Sequence, residues 1–483
     1  MTYKEAMDFL EQSKKLGSVL GLDTITELMR RLNNPQDKLK IIHIAGTNGK
    51  GSTAAFITSV LCAAGYRVGR FVSPAVFTYR EIIQISECCH INDESKKDAH
   101  LNKYLYDEDG KHMLSDSSKE DIGEHIISTC YIGKEDIREL ISIIKPVCGD
   151  MVNDGWSHPT CFEIETAMAF LYMERKQVDL FVLETGMGGR LDATNVVSRP
   201  VCSVITKVSF DHMKYLGDTL RQIAVEKAGI MKPGSVVITC NQHPDVFSVF
   251  LSKAMDLDIP LIKADCGRAG NIRYYLNQTV FSYPDLTVFD NNKADTENFK
   301  IRLLGKHQVQ NAVLAIETAR VLNKLGYNIN EKEIRAGLWM AEWPGRFEQV
   351  SNKPDIYIDG AHNEDAALKL RDSVEMYFTN RRLIFMIGVL ADKDYRSMLR
   401  IMAPLADTII TLTPYNARAL PSEMLAEEAK KYCGRVLDGR DIRQALEMAY
   451  NEAGNNDVIL AFGSLSFLGD LIDALNLRKA DEQ

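Results

Sequence analysis

Short apolar runs alternate with helical stretches along most of the chain. "KLKIIHIAG", "VDLFVLETG", "VCSVITKVS" and "GSVVITCN" predict strands in the first two-thirds, and "PDIYIDGAHN", "RRLIFMIGVLAD", "DTIITLTP" and "NDVILAFGS" predict strands in the last third. Nearly continuous Val/Ile/Leu runs suit parallel strands covered on both faces, where no face is left for polar residues. Their alternation with helices predicts an α/β architecture. "KGSTAAFITSVLCAAG" supplies the helix after the first strand, with Gly65 as its C-cap. The opening "MTYKEAMDFLEQSKK" predicts an amphipathic helix.

Two stretches break this rhythm. Residues 87–129 are polar, rich in Asp, Glu, Lys and Ser, and weakly periodic, which predicts an inserted, exposed lobe. Residues 271–302 carry alternating segments such as "IRYYLNQTVFSY", which predict a small antiparallel ribbon. A new strand–helix series begins after "AEWPGRFEQ", so the expected division is 1–343 and 344–483.

Composition narrows the classes. A chain of 483 residues exceeds one ordinary core, so two domains are expected. A formal net charge of -9 argues against nucleic acid or an anionic membrane as the main partner. The N-terminus lacks the apolar stretch of a secretory signal, and no segment approaches the ~18 apolar residues that span a bilayer. The ten cysteines include no C-x-x-C pair, which suits a cytoplasmic protein with reduced thiols. Cys88, Cys89 and His90 could suggest a metal, but adjacent cysteines ligate one ion poorly.

"HIAGTNGKGST" sits between a strand and a helix, the context in which backbone N–H groups hold phosphate. It departs from G-x-x-x-x-G-K-[ST]. Gly46 lies three residues before Gly49, and Gly51 separates Lys50 from Ser52. The glycines would let the backbone approach an anion, and Lys50 would neutralise β- and γ-phosphate charge. The plain alternative is a strand–helix turn. Glu184 follows an apolar strand, where a Mg²⁺-binding carboxylate facing phosphates would sit, or a glutamate bonding its own loop. Asp211 and His212 follow another strand, and His212 is a candidate second metal ligand or a structural histidine.

"GTNGKGST", "FVSPAVFTYRE", "ETGMGGRLDATN", "FDHMKYLG" with "AVEKAGIMKPG", "LLGKHQVQNA", "WPGRFE" and "DGAHN" occur in that order. Together they resemble the folylpolyglutamate synthase/dihydrofolate synthase family of the Mur-ligase superfamily. The resemblance covers nearly the whole chain except 87–129. It implies a P-loop ATPase domain with a parallel central sheet and a smaller, Rossmann-like C-terminal domain. It implies an ATP-dependent ligase that adds L-glutamate to a folate, and to dihydropteroate in bifunctional members, through an acyl phosphate.

The family's roles carry over residue by residue. Gly46, Thr47, Asn48, Gly49, Lys50, Gly51 and Ser52 would hold the ATP phosphates. Ser73 would bind Mg²⁺ with Glu184, and His212 a second Mg²⁺; without the family, Ser73 reads as a turn cap before Pro74. Lys227 matches a lysine often carbamylated in the superfamily, against the alternative of an unmodified lysine pairing with an anion. His307, Gln308 and Asn311 resemble adenine-side contacts. Arg346 would reach ATP phosphate across the cleft, Asp359 would hold the ribose, and His362 would lie beside the nucleotide. Arg80, Asp192 and Ala193 are the folate-side candidates, although Arg80 before Glu81 departs from the family's usual order. A monovalent cation is left open with no residue assigned, and a monomer is expected. Only about forty residues precede Gly46, too few for the extra domain of a cell-wall Mur ligase.

Overall fold

The computed structural model describes residues 1–17, 19–90, 111–113, 125–284 and 296–481. The buried apolar runs form the middle of one nine-stranded sheet. Its strands are β1 (Ile41–Ala45), β2 (Val68–Phe71), β3 (Ile83–His90), β4 (Lys111–Met113), β5 (His125–Tyr131), β6 (Leu180–Glu184), β7 (Cys202–Ile205), β8 (Val236–Cys240) and β9 (Leu261–Ala264). The order is β4-β5-β3-β2-β6-β1-β7-β8-β9. Strands β2, β6, β1, β7, β8 and β9 run parallel. The central run β6-β1-β7 is buried throughout, as the unbroken apolar sequence predicts.

The polar stretch 87–129 departs from its expected reading at both ends. Residues 87–90 complete β3 and 125–129 begin β5, and these two strands pair antiparallel along the edge of the main sheet. The sheet is therefore mixed. The sequence hid this because these strands carry polar residues, exposed at Glu87 but buried at Ser128 and Thr129, that break the apolar run. The middle of the expected lobe lies outside the described residues. Cys88 and Cys89 are neighbours on β3, so their side chains point to opposite faces.

Both faces of the sheet are covered. Helices Tyr3–Lys14, Asp23–Arg31, Lys134–Asn153 and Cys161–Lys176 share one core with Phe71, Phe181 and Leu183. The first of these is the expected N-terminal helix, and a Thr2–Glu5 capping box starts it. Helices Lys50–Ala63, Lys306–Lys324 and Glu331–Met340 cover the other face. Gly65 lies just past the first of them at φ +87°, and its amide bonds the Cys62 carbonyl at 2.9 Å, which satisfies an orphan helix carbonyl. The ribbon has three antiparallel strands, β10 (Gly270–Tyr275), β11 (Gln278–Pro284) and β12 (Thr296–Ile301). It buries Phe281, Tyr283 and Phe299 against this second core. Each such side chain contributes about 1.5–3 kcal/mol.

A separate six-stranded sheet follows, made of β13 (Glu348–Asn352), β14 (Asp355–Ile358), β15 (Leu383–Ile387), β16 (Thr408–Thr411), β17 (Val436–Asp438) and β18 (Val458–Phe462). Its order is β13-β14-β18-β15-β16-β17, parallel except for β13. The two sheets meet through the loop after β2. Val76 and Phe77 pack on the core around Phe467, Leu468 and Leu471.

Candidate active site

Strand order decides what surrounds the glycine loop. β1 lies between β6 and β7, so residues 46–52 emerge between Glu184 at the end of β6 and the segment 206–212 beyond β7. Such a crevice beyond parallel strand ends is where ligands bind in α/β sheets. The loops after β14 and β18 of the second sheet close the opposite side. One cleft is lined by residues 46–52, Ser73, Glu184, His212, Lys227, His307, Asn311, Arg346, Asp359 and His362. The cleft also gathers Lys207, Lys369 and Asp211. Five of its residues are Lys or Arg, so a local positive field exists on an acidic chain.

The loop's own bonds refine which amides face the cleft. The Thr47 and Asn48 amides donate to the Lys207 carbonyl at 3.0 and 3.3 Å. They are therefore engaged, contrary to the expectation that the whole run 46–52 offers its backbone to phosphate. The helix starts at Lys50, so the first helical amides have no carbonyl one turn earlier and remain available to an anion. Gly49 sits at φ +90°, and a Cβ there would lie 2.5 Å from Asn311 Oδ1, so both conformation and space require glycine. Asn48 reaches across the cleft, where its Nδ2 donates to Asp365 Oδ2 at 2.5 Å.

Lys50 Nζ lies 3.7 Å from Glu184 Oε1. Glu184 is 4% exposed, and burial pushes its carboxyl up to about 7 despite the opposing charges of Lys50, Arg346 and Arg70. Its Oε2 is buried with no hydrogen-bond partner. An orphaned carboxylate oxygen facing a cleft shared with Ser73 is a donor set that fits a hard divalent cation such as Mg²⁺. Among the described residues, no three His, Cys, Asp or Glu side chains converge as a ready ligand cluster. The fit therefore relies on oxygens that a nucleotide and water would add.

Lys227 is buried, and its Nζ donates to the Gly46 carbonyl at 2.8 Å. Burial, reinforced by Lys50, holds its ammonium down to about 7. His212 sits in the left-handed region at φ +48°, with its Nε2 3.9 Å from Asp211. Burial lowers its pKa, with Asp211 opposing. His362 places Nδ1 2.8 Å from the Gly360 carbonyl. A carbonyl only accepts, so Nδ1 carries the proton and Nε2 keeps its lone pair. Burial holds His362 down to about 4 and His307 to about 3, so both are neutral near pH 7.

Asp359 accepts the Phe347 and Ala361 amides, each at 2.8 Å, and these bonds fix the backbone on both sides of Arg346's approach. The Arg346 guanidinium faces the charges of Asp359 and Glu184, and burial lowers its pKa.

Four expected contacts fall outside the lining. Arg80 is buried with Nε donating to the Ile132 carbonyl at 2.7 Å. Gln308 is fully buried behind the loop, with Nε2 3.4 Å from Ser52 Oγ. Asp192 is buried and accepts from the Met187 amide and the Thr194 hydroxyl, while Ala193 joins the core beneath the cleft. Lys207, Lys369, Asn363 and Asp365 were not singled out from sequence. Lys207 had a readable signal, its position just past an apolar strand in "VITKVS". Asn363 had one as the last residue of "DGAHN", whereas Lys369 and Asp365 had none, because only the packing of the second domain turns their helix toward Asn48.

The Mur ligase middle domain matches residues 124–319, and the Mur ligase glutamate ligase domain matches residues 345–465. The chain is 32% identical over 475 residues to the dihydrofolate synthase/folylpolyglutamate synthase of Bacillus subtilis (strain 168), covering 97% of this chain and 98% of that protein. It is 31% identical over 440 residues to the protein of the same description from Mycobacterium tuberculosis, covering 89% and 82%. Among solved structures, Mycobacterium tuberculosis folylpolyglutamate synthase complexed with ADP and AMPPCP superposes with a TM-score of 0.77 at 28% identity over 99% of each chain. An FPGS–AMPPCP–folate complex gives 0.75 at 27% identity, over 98% of this chain and 100% of that one.

Proposed function

Because the chain belongs to the dihydrofolate synthase/folylpolyglutamate synthase family of Mur ligases, we propose that this cleft joins L-glutamate to a folate and to dihydropteroate. The protein is an ATP-dependent glutamate ligase. What it must overcome is the inertness of a carboxylate, whose charge repels an amine. Attack of that carboxylate on the γ-phosphorus forms an acyl phosphate and releases ADP. The glutamate amine then adds to the acyl carbon, and the tetrahedral intermediate expels phosphate to leave the amide.

The chain's part is positioning and charge. The free amides at 49–52 and Lys50 would hold the β- and γ-phosphates, with Arg346 approaching from the second sheet. Ser73 and Glu184 would hold one Mg²⁺ and His212 a second, supplying neutralisation of phosphate charge. Asn311 and His307 would border the adenine, and Asp359 and His362 the ribose. Lys227 near neutral pH has a large unprotonated fraction, the form that captures CO₂ as a carbamate. That modification would convert a buried cation beside Gly46 into an anion. The two walls, closed over the substrates, would exclude water, which would otherwise hydrolyse the acyl phosphate.

The observation that carries this reading is the gathering of Lys50, Lys227, Arg346 and the orphaned Glu184 oxygen around one glycine loop. Phosphate release with Mg-ATP and L-glutamate tests it, with dihydropteroate and tetrahydrofolate assayed separately. Release that needs both an acceptor and glutamate is expected with each acceptor. Equal release without an acceptor would overturn the ligase assignment, and response to tetrahydrofolate alone would reduce it to polyglutamylation.

A further inference from the structure

A second cavity lies apart from the ATP cleft, between β2, β3 and β5 on one side and the helix Lys50–Ala63 on the other. The segment Met340–Pro344 closes it. Sheet register aligns its floor, because Arg70 pairs with Gln84 and Gln84 with Tyr131, while Ser86 pairs with Thr129. All of these residues except Gln84 line the cavity.

Arg70 is the unusual member. It is 7% exposed, and its Nε and Nη2 both turn to one oxygen, Gln84 Oε1, with the Nε bond at 3.0 Å. Among the described residues no carboxylate lies within 4.0 Å of it, since no ion pair includes it. A guanidinium has five donors and a full charge, and one shared amide oxygen satisfies neither. Buried cations in native proteins are ordinarily paired.

Other polar atoms face the same space. Thr58 Oγ1 is buried without a partner, and the Ser86 and Thr129 hydroxyls bond each other at 2.8 Å. Glu342 also lines the wall, its charge met by Arg302 at 3.3 Å. We propose that this cavity is a binding site for a small carboxylate, held by the Arg70 fork and the Thr58 hydroxyl. A planar monoanion matches the fork. A dianion such as phosphate would crowd a second negative charge toward Glu342.

The site communicates with the nucleotide loop. The Arg70 guanidinium stacks 4.9 Å from the Trp343 ring centroid. That indole lies against Gly51, where an added Cβ would come within 2.6 Å of it. Moving Arg70 onto an anion therefore shifts the ring that supports the phosphate loop.

The test uses the nucleotide-free full chain and so stands or falls independently of the ligase reaction. Sodium acetate, L-glutamate and inorganic phosphate are titrated separately at constant ionic strength set with sodium chloride. Trp343 fluorescence and Tm are followed, with Trp343→Phe as the optical blank. A saturable change with acetate or L-glutamate is expected, weakened at least tenfold in Arg70→Met and also weakened in Thr58→Val. Tighter saturation by L-glutamate than by acetate would identify an amino acid as the occupant, and equal saturation a bare carboxylate group. Arg70→Lys keeps the charge without the fork and serves if the methionine variant fails to fold; it too should weaken binding. Identical titrations of wild type and Arg70 variants, a linear unsaturable response, or saturation by phosphate alone would overturn the proposal.

Discussion

Replacing Glu81 should loosen the loop on which both domains rest. Its carboxylate is 6% exposed and accepts the Phe77 amide at 3.1 Å and the Val76 amide beside it. Those two residues pack on the second domain's core, and Ser73 earlier in the same loop lines the cleft. Glu81→Ala removes Oε1, the acceptor of both bonds. Below about pH 7 the carboxyl is largely protonated and each bond contributes about 0.5–1.5 kcal/mol, so the loss there should be about 1–3 kcal/mol, against a usual total of about 5–15.

Glu81→Gln separates charge from shape. Burial pushes the carboxyl up to about 7 from an ordinary 4.5, with the Val76, Phe77 and Thr78 amides and Arg70 opposing. A carboxyl raised on folding contributes its stability in full below the unfolded value. That contribution is lost as pH climbs through the folded value. At 1.36 kcal/mol per pH unit, the wild type should lose about 3 kcal/mol across this window relative to Glu81→Gln. Urea unfolding of the three proteins between about pH 4.5 and about pH 8 measures both effects. A Glu81→Ala loss below about 0.5 kcal/mol, within the range of ordinary surface changes, would refute the reasoning. So would a wild-type-minus-glutamine difference that stays flat with pH.

Lys50→Met and Glu184→Gln should each lower ligase turnover by about 10²–10³ or more while leaving the circular dichroism spectrum unchanged, as loss of one transition-state donor does. Asn48→Ala should raise the KM for ATP with little change in Tm, because it cuts the bond to Asp365 without opening a core; an unchanged KM would count against that bond's role. Adding ¹³C-bicarbonate should give a carbamate carbon resonance that Lys227→Met lacks, and its strength should rise from about pH 6 to about pH 8 as the amine deprotonates.

The parallel centre of both sheets was readable because β1, β6 and β7 in the first, and β15 and β18 in the second, are buried on every residue and leave no ambiguity of face. The antiparallel edge was not, since Gln84, Ser86, Ser128 and Thr129 are buried polar residues that imitate a loop. Within the cleft, Glu184 at a strand end and Lys50 at a helix start could be placed from position alone. Arg80, Gln308 and Asp192 sit outside the cleft lining for a common reason. A polar side chain beside a motif can serve the motif's backbone instead of the ligand, and only its partner atom tells the two apart.

Asn48 Nδ2 donates to Asp365 Oδ2, and Asn363 Nδ2 reaches Asp211 Oδ2 at 3.3 Å, so side-chain amides tie the two halves across the cleft. Opening the cleft must break these links, whichever way nucleotide passes. Turnover in this protein should accordingly be limited by how fast spent nucleotide escapes, seen as a burst of acyl-transfer product ahead of a slower steady rate.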